Sequence, residues 1–427
     1  MSSVRVRLAA VAVALGVLGG NVLAADPSPH QVLHERKAAD ADLAIALAPT
    51  RLSAHGSSAH ACINAMADQF PCSNVDLLAH LPFDEIGGGV GNDIWGWTDP
   101  ETGREYALMG KSTGMAIIDV TEPIAPRYLG ELGTMTVSSS WRDIKVHDDT
   151  AYIVSESTLH GIQAFDLTQL RGASSARPWA ASNWQVPVQG SHNIVINEQS
   201  GRAYAVGSKE CGGGPYVIDL ATFTPVAQDG CVDIDGYTHD MQCVVYDGPD
   251  TDHTGAEICL ASNLDTVTIW DLTEPASPVM LSRIGYPGAR YTHQGWLTSD
   301  AAYFLVGDEL DEIRDDVPTT TLVFDVRDLD DARLVGTHQA ATAAIDHNMY
   351  VTGNLVHQAN YRAGYRILEL TDPASATLTE RAYFDVYPAD DEAKFNGAWS
   401  VYPYFASGTV IISSIEGGLF VVRPRVP

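Results

Sequence analysis

Histidine recurs in this chain at one register position: His192, His239, His293 and His347 each open a short apolar stretch. Each is followed by an amide or an acid, namely Asn193, Asp240, Gln294 and Asn348. The same place elsewhere reads Asn92-Asp93, Arg142-Asp143 and, more loosely, Asn396-Gly397. If the first members of these pairs converge, four neutral imidazoles form a donor set for zinc, iron or copper. The neighbouring acids and amides would then orient the rings. Arg142, with Asn92 and Asn396 on the opposite arc, would face an open coordination position and hold an anionic or oxygen-rich cofactor or substrate. If instead the second members converge, Asp93, Asp143, Asn193, Asp240, Gln294 and Asn348 make an oxygen ring suited to calcium or magnesium. A third reading makes both columns ties between repeats that line a wet channel.

All three readings need an element that brings residues fifty positions apart onto one axis. A recurrent phrase supplies it: an apolar strand ending in an acid and followed by a Pro-marked or polar turn. It appears as Met115–Val120, Ile162–Leu167, Tyr216–Leu220, Val267–Leu272, Leu322–Val326 and Arg366–Leu370, and without the acid as Leu419–Val422. A spacing of about fifty residues points to propeller blades or a solenoid. Turn signals such as Thr121-Glu122-Pro123 punctuate the strands, and helical periodicity is missing from this region. The two chain ends decide for a closed ring. The seventh repeat stops after its third strand, whereas Val75–Pro82 has no repeat before it and reads like the outer strands Arg127–Leu132 and Val279–Ile284. The expected fold is therefore an all-β, seven-bladed β-propeller over residues 61–427, closed by an N-terminal strand that completes the last blade and removes its open edge. Its innermost strands carry the polar pairs.

The address of the chain follows from its first residues. Arg5 and Arg7, the apolar run Leu8–Leu18 and the exit Val22-Leu23-Ala24 read as a signal peptide over residues 1–24, and residues 25–60 as a mobile lead-in containing one helix-like stretch. The chain is expected to be secreted or periplasmic, with no membrane insertion after signal cleavage. A formal charge of −29 argues against nucleic acid as a partner, which needs a basic footprint. Six cysteines in an exported chain suit a disulfide framework. Nearest-neighbour pairing would join Cys62 to Cys72, Cys211 to Cys231 and Cys243 to Cys259, out of the fifteen pairings that six cysteines allow.

The repeats of the Ile-Ile-Asp-Val type resemble LVIVD repeats. The segments Cys72–Leu77, Asn92–Trp97 and Tyr237–Asp240 resemble the choice-of-anchor B family of exported bacterial proteins. The likeness spans roughly residues 60 to 425. It implies an exported propeller; no C-terminal anchor is legible here, and the family implies no established activity. The four-histidine layout also resembles that of propeller oxygenases that hold iron on their axis.

Other candidates are weaker. The loops Asp233–Gly236 and Asp247–Asp252 place acids at alternate positions but lack the full calcium-loop pattern. The acidic run Gly307–Glu312 follows a second strand, and Glu156, Glu210, Asn263, Asp308 and Glu416 end equivalent strands, where they could line an entrance. Trp95, Trp97, Trp296 and Trp399 read as packing between blades, with a stacking platform for a sugar or aromatic ligand as the alternative. Two functions follow: a propeller binding a divalent metal, with oxidoreductase or hydrolase chemistry, or a non-catalytic scaffold for a small-molecule, glycan or protein ligand.

Overall fold

The computed structural model describes residues 59–185, 188–226, 230–232 and 235–426. The segment expected to be a signal peptide, and nearly all of the expected lead-in, lie outside the described residues. Blade 1 shows why the recurrent phrase forms its strands. It comprises Gly91–Thr98, Glu105–Lys111, Gly114–Asp119 and Arg127–Gly133, joined as an antiparallel meander. In its third strand Ile117 packs with Ile144 and Ile153 of the following repeat, while Ile118 packs with Ile411 and Val421 near the C-terminus. Both faces of each blade are covered by neighbours, so these strands are apolar on consecutive residues instead of alternating.

Among the described residues seven such sheets are present, with innermost strands Gly91–Thr98, Arg142–His147, Asn193–Asn197, Asp240–Val245, Thr292–Leu297, Met349–Thr352 and Ala398–Tyr402. Each innermost strand contacts the next, and the seventh contacts the first, which closes the ring. The protein is a seven-bladed β-propeller. Its seventh blade is completed by the N-terminal strand Val75–Leu81, paired antiparallel to Gly418–Pro424. The outer strands of blades 1, 4 and 5 slip register once and that of blade 6 twice, and the closing strand bulges similarly between Leu77 and Ala79. It is thus a true fourth strand, carrying the same kind of bulge as its counterparts. Just before it, Phe70–Ser73 pairs with the outer strand of blade 6, so the N-terminal segment straddles the closing seam.

The acid ending the third strands is a turn device. Asp119, Asp166 and Asp271 each accept the backbone N–H two residues on, from Thr121, Thr168 and Thr273. The three disulfides are Cys62–Cys72, Cys211–Cys231 and Cys243–Cys259, the nearest-neighbour set. The last joins directly opposed residues of the first two strands of blade 4. Among the described residues no helix is long and apolar enough to cross a membrane.

Candidate functional site

Because every innermost strand starts at the same end of the channel, the four histidines gather at one mouth. Their rings form an arc, with centroids 4.1 Å apart from His192 to His239, 4.2 Å from His239 to His293 and 4.3 Å from His293 to His347. All four are buried. Backbone carbonyls of adjoining blades hold two of them: His239 Nδ1 lies 2.9 Å from the carbonyl of His293, and His347 Nδ1 lies 2.5 Å from that of Trp399. A carbonyl can only accept, so each Nδ1 carries the proton and each Nε2 presents its lone pair. His192 Nδ1 is 2.5 Å from Glu156 Oε1.

Two of the four expected histidine ligands, His293 and His347, group with a carboxylate that the expected set did not contain. Among the described residues, the ligand atoms lying within 4.8 Å of one another at this mouth belong to His293, Glu309 and His347. Glu309 follows the second strand of blade 5, Tyr303–Asp308, and its carboxylate is fully buried between two blades. Tyr361 Oη donates to Glu309 Oε1 at 2.7 Å, while His293 Nε2 lies 3.4 Å and His347 Nε2 3.7 Å from the carboxylate. Glu309 enters from a loop beside the last two histidines of the arc and meets both. Tyr291, Tyr361, Trp399, Phe395 and Leu310 pack in an apolar cluster around this group. Polar interactions inside it are therefore weakly screened.

Arg142, Asn92 and Asn396, expected on the opposite arc, each make hydrogen bonds to protein groups. The Arg142 guanidinium donates to the Lys111 carbonyl at 3.1 Å and to Thr134 Oγ1 at 2.9 Å, and meets His160 Nε2 at 2.9 Å. These contacts close the seam between blades 1 and 2. Asn92 donates to the Ser140 carbonyl, and Asn396 accepts both Nε and Nη2 of Arg362. All three link neighbouring repeats, while Asn92 Oδ1 and Asn396 Nδ2 are buried with no hydrogen-bond partner among the described residues.

The second members form a deeper layer, and the chain supplies its own cation there. Lys145 Nζ lies 2.6 Å from Asp143 Oδ1 and 3.2 Å from Asp93 Oδ2. Asn348 Nδ2 reaches Asp93 from blade 6 at 3.4 Å, and Gln294 exchanges both hydrogen bonds with the Met349 backbone. Asn193 donates to the His239 carbonyl. Burial works against the Lys145 charge, but Asp143 and Asp93 outweigh it and raise its pKa well above the usual value. Burial would raise Asp93, yet the Lys145 charge and hydrogen bonds hold it below the ordinary range. Burial, with Asp93 beside it, pushes Asp143 well up, and burial brings Asp240 to about 7. Two acids of the alternative oxygen ring, Asp93 and Asp143, are thus paired with an ammonium group.

Beyond Lys145, at the other mouth, lies a cavity of about 510 Å³. Trp95, Trp296, Tyr350 and Tyr402 form one wall, and Asp240 and Gln242 also line it. Trp95 and Trp296 both pack edge-on against Tyr350, and Lys145 Nζ sits 4.7 Å above the Trp95 ring. Trp97 and Trp399 are buried in the cores and take no part in this wall.

Several acids at the strand ends also serve the fold. Asp308 accepts the backbone N–H groups of Arg290 and Tyr291 together with Tyr286 Oη, and Glu416 accepts the Gly397 N–H. In the Asp247–Asp252 loop, Asp250 caps a short 3₁₀ turn and binds the Leu329 N–H. Half of the Asp233–Gly236 loop lies outside the described residues. Sequence reasoning missed Glu309 as a partner of the histidines, and Lys145 altogether. The available signals were a glutamate one step past the Asp308 strand end, and a lysine two residues after Asp143 on an innermost strand. No family model matches the chain, and no curated protein matches it either.

Proposed function

We propose that this chain is an exported propeller, built from LVIVD-type blades in the manner of choice-of-anchor B proteins, that binds one divalent transition-metal ion through His293, Glu309 and His347. The observation that carries the reading is the convergence of two imidazoles and one carboxylate, from adjacent blades, within 4.8 Å in a buried site. His347 has its tautomer set by the Trp399 carbonyl, as a metal ligand requires. Two histidines and one carboxylate are the donor set of hydrolytic zinc and of non-haem iron, so a bound ion would supply Lewis-acid or redox chemistry. Tyr361 orients Glu309, and the surrounding aromatic residues exclude water. Three disulfides support export.

The test is metal analysis of protein purified without a tag or chelator. About one zinc, iron or copper ion per chain is expected, falling to background in His293→Ala/His347→Ala and persisting in His192→Ala. Metal-free protein, or an unchanged content in the double variant, would show that these residues form only an ion-pair cluster.

A second reading is favoured by the cavity at the other mouth: a scaffold that holds a glycan against Trp95 and Trp296. Its aromatic wall offers stacking faces, and Asp240 and Gln242 offer polar groups for hydroxyls. Sugar binding that persists after chelation would separate it from the metal reading.

A further inference from the structure

A second group of acids lies on the same loop, and it does not depend on the histidines. The one-turn helix Asp311–Asp315 carries Asp311 and Glu312, and Asp346 precedes His347 in the next blade. Carboxylate oxygens of Asp311, Glu312 and Asp346 all lie within 4.8 Å of one another. Asp346 is fully buried and Glu312 is 3% exposed.

Both oxygens of Asp346, Oε2 of Glu312 and Oδ1 of Asp311 have no hydrogen-bond partner among the described residues. Glu312 Oε1 accepts the Asp346 N–H at 3.2 Å, which draws the two side chains' loops together. Gly307 leaves the room: a Cβ there would stand 1.7 Å from Asp346 Oδ2. Buried carboxylate oxygens are normally satisfied by donors or by a cation, and leaving several together without either is costly.

We propose that Asp311, Glu312 and Asp346 form a binding site for a hard divalent cation, calcium. An all-oxygen set of three carboxylates selects a hard ion over zinc or copper. Calcium accepts such irregular protein cages, whereas magnesium keeps most of its water and seldom uses them. The ion would neutralise the buried acids and anchor the segment carrying Glu309 to the strand start carrying His347. Its role is to position that loop, whether or not a transition metal binds beside it.

Terbium luminescence, excited through the protein's aromatic residues, tests this on the full mature chain after chelator treatment. A saturable signal of about one ion per chain is expected, displaced by calcium but not by equimolar magnesium. Asp346→Asn should weaken binding about a hundredfold, Glu312→Gln should do likewise, and His293→Ala/His347→Ala should bind normally. Each acid-to-amide change preserves shape, so if one variant fails to fold the other still reports. Absence of a saturable signal would overturn the site, as would wild-type affinity in a folded amide variant or loss of binding in the double histidine variant. Equal displacement by magnesium would overturn its assignment to calcium.

Discussion

Replacing Lys145 by methionine is expected to lower the free energy of unfolding by about 3–5 kcal/mol, the usual cost of stripping one partner from a buried ion pair. The reason is specific to the channel. Lys145 is the cation that Asp93 and Asp143 share, and their side chains are only 5% and 3% exposed. Without the ammonium group, charge on Asp93 would be buried with no compensating cation, and Asp240 would also lose the charge that holds its pKa down. The triple variant Lys145→Met/Asp93→Asn/Asp143→Asn should recover most of the loss, since removing the whole network removes the orphaned charges along with their partner. Urea denaturation of the single and triple variants measures both. A single variant within about 1 kcal/mol of wild type would show that the network is solvated and that the ring has no need of an internal cation.

The second large effect concerns acid. Burial, and then the neighbouring Arg142 charge, push the His160 imidazole down to about 4. Its Nε2 lies 2.9 Å from Arg142 Nη1, which can only donate, and its Nδ1 lies 3.0 Å from the Gly161 carbonyl. The neutral ring satisfies both partners; the protonated ring would set two cations together. An unfolded histidine titrates near 6.5, so between that pH and about 4 the unfolded chain binds the extra proton and the folded chain does not. The stabilising contribution of His160 is therefore complete above about pH 6.5 and is lost as pH falls toward 4. A shift of that size corresponds to about 3 kcal/mol.

Buried acids act in the opposite sense. Burial raises Asp240 to about 7, and Asp308, Asp385 and Glu416 to about 6. Each favours the folded state at low pH and gives up that contribution as pH rises through its folded value. The overall profile is consequently flatter than His160 alone would make it, and the informative quantity is a difference. The stability gap between wild type and His160→Gln should shrink by about 3 kcal/mol from pH 7 to pH 4. A gap that stays constant across that range would mean that His160 is protonated in the folded protein without penalty.

The architecture was legible in the sequence because it rests on local patterns. Phrases such as Met115–Val120 are apolar on consecutive residues, since both faces of a blade must be covered, and their spacing counts the blades. Val75–Leu81 could be recognised as the closing strand because an outer strand carries its own pattern wherever it falls in the chain. Cysteine pairing followed the shortest loops, which in a meander join neighbouring segments.

The contents of the channel were decided elsewhere. Repeat position places His192, His239, His293 and His347 on one arc, but it does not say which nitrogens meet, because seam partners such as the Trp399 carbonyl and Glu156 set the orientation of each ring. Glu309 comes from the loop after a second strand and meets histidines of two blades, and Lys145 reaches Asp93 of a different blade by the length of its own side chain. By itself the sequence determined a ring of seven blades with a polar column in its innermost strands. Only the tertiary structure decided that two histidines meet a carboxylate while the deeper acids meet a lysine. Strand pattern is a property of neighbours along the chain, whereas coordination and charge pairing depend on side-chain reach between strands about fifty residues apart.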